Sequence, residues 1–110
     1  MSLSVGLFYE IDGNKIGVYD DNITHNLGEM AEAAGFYQHL WRPEELEITI
    51  ASELTEGLRN SLSDMRARPD FYKQYNPENG WGSYEALVNF IEEYLRACEK
   101  YPNAKIIVSR

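Results

Sequence analysis

The stretch from Asn76 to Cys98, NPENGWGSYEALVNFIEEYLRAC, constrains this chain more than any other, because turn chemistry, a helix cap and a long apolar stripe agree within it. Asn76-Pro77 and Asn79-Gly80 mark a tight loop, and the Ser83 hydroxyl is placed to accept from the freed N–H groups that open a helix. Tyr84, Leu87, Val88, Ile91, Tyr94, Leu95 and Cys98 then recur at spacings of three and four, which lays them along one stripe. Glu85, Asn89, Glu92, Glu93 and Arg96 fall on the opposite side. The pattern predicts the core helix of the domain.

The rest of the chain is read around that helix. Leu3, Val5, Leu7 and Tyr9 alternate with polar or small residues, as in a strand with one buried face. Asp12-Gly13-Asn14 offers the positive φ angles of a tight hairpin, and Lys15 to Tyr19 resumes with Ile16 and Val18 on a common side. After Asp20-Asp21-Asn22 a helix is predicted to begin near Thr24, to bury Leu27, Met30, Ala31 and Ala34, and to stop at Gly35. Phe36 to Glu47 has no clean period, and Arg42-Pro43 argues against a helix through it, so an irregular aromatic connection is expected. Thr49 is the expected cap of the next helix, with Ile50, Leu54, Leu58, Leu62 and Met65 inward as far as Pro69. Pro69 opens a short helical turn carrying Phe71, Tyr72 and Tyr75, because a first helical position does not need its missing N–H. Pro102-Asn103 closes the core helix, and Ala104 to Val108 forms a last strand. These elements predict one α+β domain over residues 1–110: a small, mainly antiparallel three-stranded sheet, made by the N-terminal hairpin and the C-terminal strand. Three or so helices pack on one of its faces, and the strand order is left open.

Composition narrows the function classes. A chain of 110 residues has room for one core, burying about two thirds of the surface its unfolded form exposes. No apolar run approaches the roughly 20 residues of a membrane helix, and the first residues lack the basic and apolar regions of a signal peptide, so a cytoplasmic protein without membrane contact is expected. The one cysteine, Cys98, excludes an internal disulfide framework and a Cys-rich zinc site, and its place on the apolar stripe makes it a buried thiol. The net charge of −8 is uneven: residues 1–56 hold eleven acids against Lys15 and Arg42, whereas residues 57–110 hold seven acids against eight bases. Such a balance argues against nucleic acid as a partner, since phosphate binding needs clustered Lys and Arg.

Several constellations could carry chemistry. Asp20, Asp21, His25 and Glu29 have the residue types of a divalent-metal site, with His25 and Glu29 one helical turn apart; the competing reading is a helix start decorated with acids and capped by Asn22 or Thr24. No metal and no cofactor are expected. His39 has no nearby Cys or paired acid and is read as structural or exposed. Ser83 lies outside any G-x-S-x-G elbow, and neither a phosphate loop nor a dinucleotide motif occurs. The adjacent acids Glu44-Glu45 and Glu92-Glu93 show no sign of an apolar pocket. The richest group combines Trp41 and Arg42 in one loop with Asn79, Trp81 and Tyr84 in another, since Trp and Arg often anchor binding sites and Gly80 and Gly82 allow close backbone approach. Against this, Trp41 and Trp81 could instead cap the core, with Arg42 stacked on an aromatic ring or paired to Glu44 or Glu85. The candidate ligand-binding residues are therefore Asn22, Thr24, His25, Trp41, Arg42, Asn79, Trp81 and Tyr84; no catalytic residue is assigned.

The chain resembles a group of small bacteriophage- and prophage-encoded proteins without an established activity. The resemblance lies in Met1-Ser2-Leu3 with Val5, in Asn22-Ile23-Thr24-His25-Asn26-Leu27, in Leu40-Trp41-Arg42-Pro43-Glu44-Glu45, in Asn76 to Glu85, and in Val108-Ser109-Arg110. Leu46-Glu47-Ile48 departs from the Gly-Ile-Thr of that group. The resemblance implies a phage or prophage origin and the bacterial cytoplasm, and names no substrate. The expected function is a non-enzymatic protein-binding or accessory module that engages a host or phage protein through its acidic face or its Trp-rich loops. In one variant the acidic half imitates nucleic acid. The alternatives are a small metal-dependent or hydrolytic enzyme with a site near His25, and a homodimeric structural protein paired through a sheet edge or Trp patch.

Overall fold

Alternation in the first strand sets the architecture. In β1 (Ser2–Ile11) the side chains of Leu3, Val5 and Leu7 turn to one face and are buried, while Ser2, Ser4 and Glu10 are exposed. This is a computed structural model, and it describes residues 2–110; Met1, the first residue of the Met1-Ser2-Leu3 match, lies outside the described residues. Asp12 (φ 53°) and Gly13 (φ 80°) form a two-residue turn that joins β1 to β2 (Asn14–Thr24) with Ile11 paired to Asn14. Both turn residues need positive φ, which the Asp-Gly pair provides. The third strand, β3 (Lys105–Ser109), lies antiparallel on the other side of β1, with Val108 opposite Val5, giving the order β2-β1-β3. The expected α+β fold with an antiparallel three-stranded sheet is the one observed.

Two features of β2 differ from expectation. The strand runs through Asp20-Asp21-Asn22 to Thr24, because these residues pair with Gly6, Val5 and Ser4 of the central strand. Ladder pairing outweighs their turn propensity. The register also shifts: Leu7 faces Tyr19 while Phe8 faces Gly17, so Val18 is the extra residue of a bulge. Ile16 and Val18 therefore do not share a simple alternating face. Tyr19 takes the inward place instead, stacking on Tyr94 with centroids 5.9 Å apart and planes 10° from parallel.

A 3-10 turn at His25–Leu27 follows, and Thr24 caps it by accepting from the Asn26 N–H at 3.3 Å. α1 (Gly28–Ala33) buries Met30 and Ala31 and is left at Gly35 with φ 82°. The aromatic connection is not wholly irregular, since α2 (Tyr37–Trp41) turns Leu40 and Trp41 inward before a 3-10 turn at Pro43–Leu46. Nor is Thr49 a helix cap. A 3-10 turn at Ala51–Glu53 intervenes, and Glu53 reaches back to accept from the N–H groups of Thr49 (3.0 Å) and Ile50 (3.1 Å), which holds its carboxyl below the usual range.

α3 (Thr55–Ala67) buries Leu58, Leu62 and Met65, with Leu54 buried just before it. Its Gly57 makes room for α2: a Cβ there would lie 2.6 Å from Nε2 of His39. α4 (Pro69–Lys73), with Pro69 opening it, buries Tyr72, whose hydroxyl donates to Asp64; Arg68 donates to the same carboxylate. α5 (Tyr84–Lys100) begins where Ser83 Oγ accepts from the Ala86 N–H at 3.1 Å. The expected stripe is buried apart from half-buried Val88, and Phe90 and Ala97 are buried as well, because α5 packs against both α3 and β2. Burial pushes the Cys98 thiol up to about 12.

The helices cover the Leu3, Val5 and Leu7 face of the sheet; the other face stays open, with Ile107 50% exposed. The outer edge of β3 is closed by the chain itself, where the Ile106 N–H donates to Thr49 O at 3.0 Å and the Ala51 N–H to Ala104 O at 2.9 Å.

Candidate functional site

The loop before α5 is fixed residue by residue. Asn76 Oδ1 accepts from the Tyr84 N–H at 2.8 Å, the Gly80 N–H donates to Pro77 O at 3.2 Å, and Asn79 Oδ1 accepts from the Trp81 N–H at 2.9 Å. Gly82, at φ 100°, presses its backbone onto the end of β2 and the turn after it: a Cβ there would lie 2.8 Å from Thr24 Cγ2 and 3.0 Å from Leu27 Cγ. Only glycine suits both the angle and the contact. The loop backbone is thus anchored while the Trp81 side chain is left 71% exposed.

His25 stands beside this loop, at the start of its 3-10 turn. Its Nδ1 accepts from the indole N–H of Trp41 at 2.9 Å. An indole N–H only donates, so Nδ1 is the bare nitrogen and Nε2 of the neutral ring carries the hydrogen. Trp41 itself is 3% exposed and stacks on Tyr37 with centroids 5.1 Å apart. Its carbonyl accepts from Arg110 at 2.8 Å, and Arg110 also reaches Glu44 at 2.8 Å. Trp41 is the buried support that orients the His25 ring.

Two hollows meet at His25 and Asn26. One, of about 610 Å³, is lined by Asn22, Thr24 and Trp81 as well. The other, of about 460 Å³, has Glu29, Gln74, Tyr75 and Glu78 on its walls. Of the candidate residues, Asn22, Thr24, His25 and Trp81 therefore come together, with Trp41 behind them. Three do not join them. Arg42 pairs with Glu45 at 3.8 Å, Asn79 serves the turn, and Tyr84 is a core residue whose hydroxyl donates to Met65 O at 2.7 Å. Gln74, Tyr75 and Glu78 are not singled out by sequence, although they adjoin the loop in the chain.

The other chemistries fare differently. Asp20 and Asp21 are consecutive β2 residues, so their side chains alternate across the sheet, and no three His, Cys, Asp or Glu groups gather to hold a metal ion among the described residues. Ser83 is spent on its cap and Cys98 is fully buried, so neither is placed as a nucleophile. His39 is half-buried against Gly57, and burial lowers its pKa from 6.5.

Charge is sorted across the surface. On α3, α4 and α5, Arg59 pairs with Glu99, Arg66 and Arg96 with Glu92, Arg68 with Asp64, and Lys73 with Glu85. Lys105 and Arg110 are paired elsewhere, and Lys15 and Lys100 lie over the rings of Phe8 and Tyr101. Among the described residues no basic side chain pairs with Asp20, Asp21, Glu29 or Glu78.

Fold and site together define a small α+β protein with one anchored, solvent-facing tryptophan loop. No protein-family model, curated protein or solved structure matches the chain. Among the described residues no helix is long and apolar enough to cross a membrane.

Proposed function

We propose that this protein is a non-enzymatic binding module that engages another protein through the Trp81 loop and the adjoining wall of His25. The observation that carries the reading is the contrast within the Asn79 to Gly82 loop: a backbone pinned by Asn79, Gly80 and Gly82 presents an indole that is 71% exposed. A large apolar ring held out by an ordered loop contributes little to the core. It loses little entropy on contact with a partner, which is why Trp recurs at the energetic centres of interfaces. The phage or prophage setting implied by the resemblance, with a host or phage protein as partner, belongs to this proposal. Nucleic acid is disfavoured, because among the described residues every Lys and Arg is engaged by a carboxylate or an aromatic ring.

The test is capture from bacterial lysate with wild-type and Trp81→Ala baits. A partner retained by the wild type and lost by the variant supports the reading. Equal retention by both baits, or none by either, overturns it.

A further inference from the structure

The chemistry of the partner follows from the hollow that shares its His25 and Asn26 wall with the one lined by Trp81. Glu29 and Glu78 face the same hollow of about 460 Å³, and neither has an ion-pair partner among the described residues. Tyr75 supplies an aromatic wall, and Asn26 and Gln74 contribute amide groups. The Nε2–H of His25 makes no hydrogen bond among the described residues, and it is not a buried orphan.

On the binding role proposed above, we infer that the occupant is an extended protein segment bearing arginine. Its guanidinium enters the hollow walled by Glu29, Glu78 and Tyr75, its aliphatic stem lies on the Trp81 indole, and a neighbouring backbone carbonyl accepts from His25 Nε2. Arginine fits better than lysine, because a planar guanidinium both stacks on an aromatic ring and donates in parallel to carboxylates. A wholly apolar segment would strip water from two carboxylates without pairing them, and an acidic or phosphorylated one would be repelled. The net charge of −8 would also speed the approach of a basic segment, in a salt-dependent way.

The probe is a blocked Gly-Arg-Gly-Arg-Gly peptide, titrated to millimolar concentration against isotope-labelled protein at low salt. Its control is the same peptide with citrulline, the uncharged isostere of arginine. The protein has two indole N–H signals, and Trp81→Phe identifies the exposed one. The expected result is movement of the Trp81 indole and of amides within residues 25–29 and 74–81, with affinity falling about tenfold or more for citrulline and for Glu29→Gln/Glu78→Gln, as for loss of a close charge pair. Equal shifts from both peptides, shifts confined to the α3–α5 face, or no shift would each overturn the inference. The broader reading is separable: a lysate partner lost on Trp81→Ala but retained by Glu29→Gln/Glu78→Gln at any salt concentration leaves the Trp81 interface standing and removes arginine from it.

Discussion

The two tryptophans of this protein are used in opposite ways. Trp41 is 3% exposed, stacked on Tyr37 and hydrogen-bonded to His25; Trp81 is 71% exposed, with its backbone N–H held by Asn79 Oδ1. The surfaces around them differ as well. On α3–α5, Arg59, Arg66, Arg68 and Arg96 each pair with a carboxylate, whereas Glu29 and Glu78 have no basic partner among the described residues. A small domain needs its large aromatics to complete its core. An anchored one left in water is the observation behind the partner proposed above.

The sharpest way to break this contrast is Trp41→Ala. Removing a buried indole and the hydrogen bond to His25 should cost about 3–5 kcal/mol, read from urea unfolding. A loss under about 1 kcal/mol would mean that Trp41 is not a core residue. Gly82→Ala comes next. The strained φ and the contacts with Thr24 and Leu27 should together cost about 2–3 kcal/mol, and amide shifts should report displacement of the 76–82 loop.

A smaller effect is expected from His39. Its folded pKa lies below 6.5, so the unfolded chain binds the proton more readily. Stability is therefore unaffected above that value and declines as pH falls through 6.5 toward the lowered folded pKa. The wild type should lose more stability than His39→Gln between neutral pH and pH 5, measured by unfolding at each pH; identical profiles would remove His39 as the cause. The smallest effect belongs to Trp81→Phe, which should leave stability within about 0.5 kcal/mol of wild type. It should also abolish the acrylamide-quenchable part of the fluorescence, and persistent quenching would mean that Trp41 is the accessible ring.

What could be foreseen from sequence follows from how local each feature is. The core helix was legible because its cap and stripe lie within one segment, and the β1–β2 hairpin because Asp12-Gly13 encodes its own turn. The extension of β2 was not. Asp20-Asp21-Asn22 favours a turn locally and becomes strand only by pairing with Ser4, Val5 and Gly6. The α2 helix is not legible, because five residues beside Arg42-Pro43 carry too little periodicity to mark one. For the site, residue types were informative where geometry was not. Asn22, Thr24, His25 and Trp81 adjoin because Gly82 packs on Thr24 and Leu27, a contact between distant segments that no spacing encodes. Tyr84 lies near Trp81 in the sequence, but its place on the apolar stripe marks it as core.

The most direct test of the central claim is photo-crosslinking in bacterial lysate, with a benzophenone amino acid placed at position 81 or, as the comparison, at exposed Asn60 on α3, which lines neither hollow. The account predicts one dominant covalent adduct with a protein from position 81 and none of that mass from position 60. The same adduct from both positions, or adducts from position 60 alone, would contradict it.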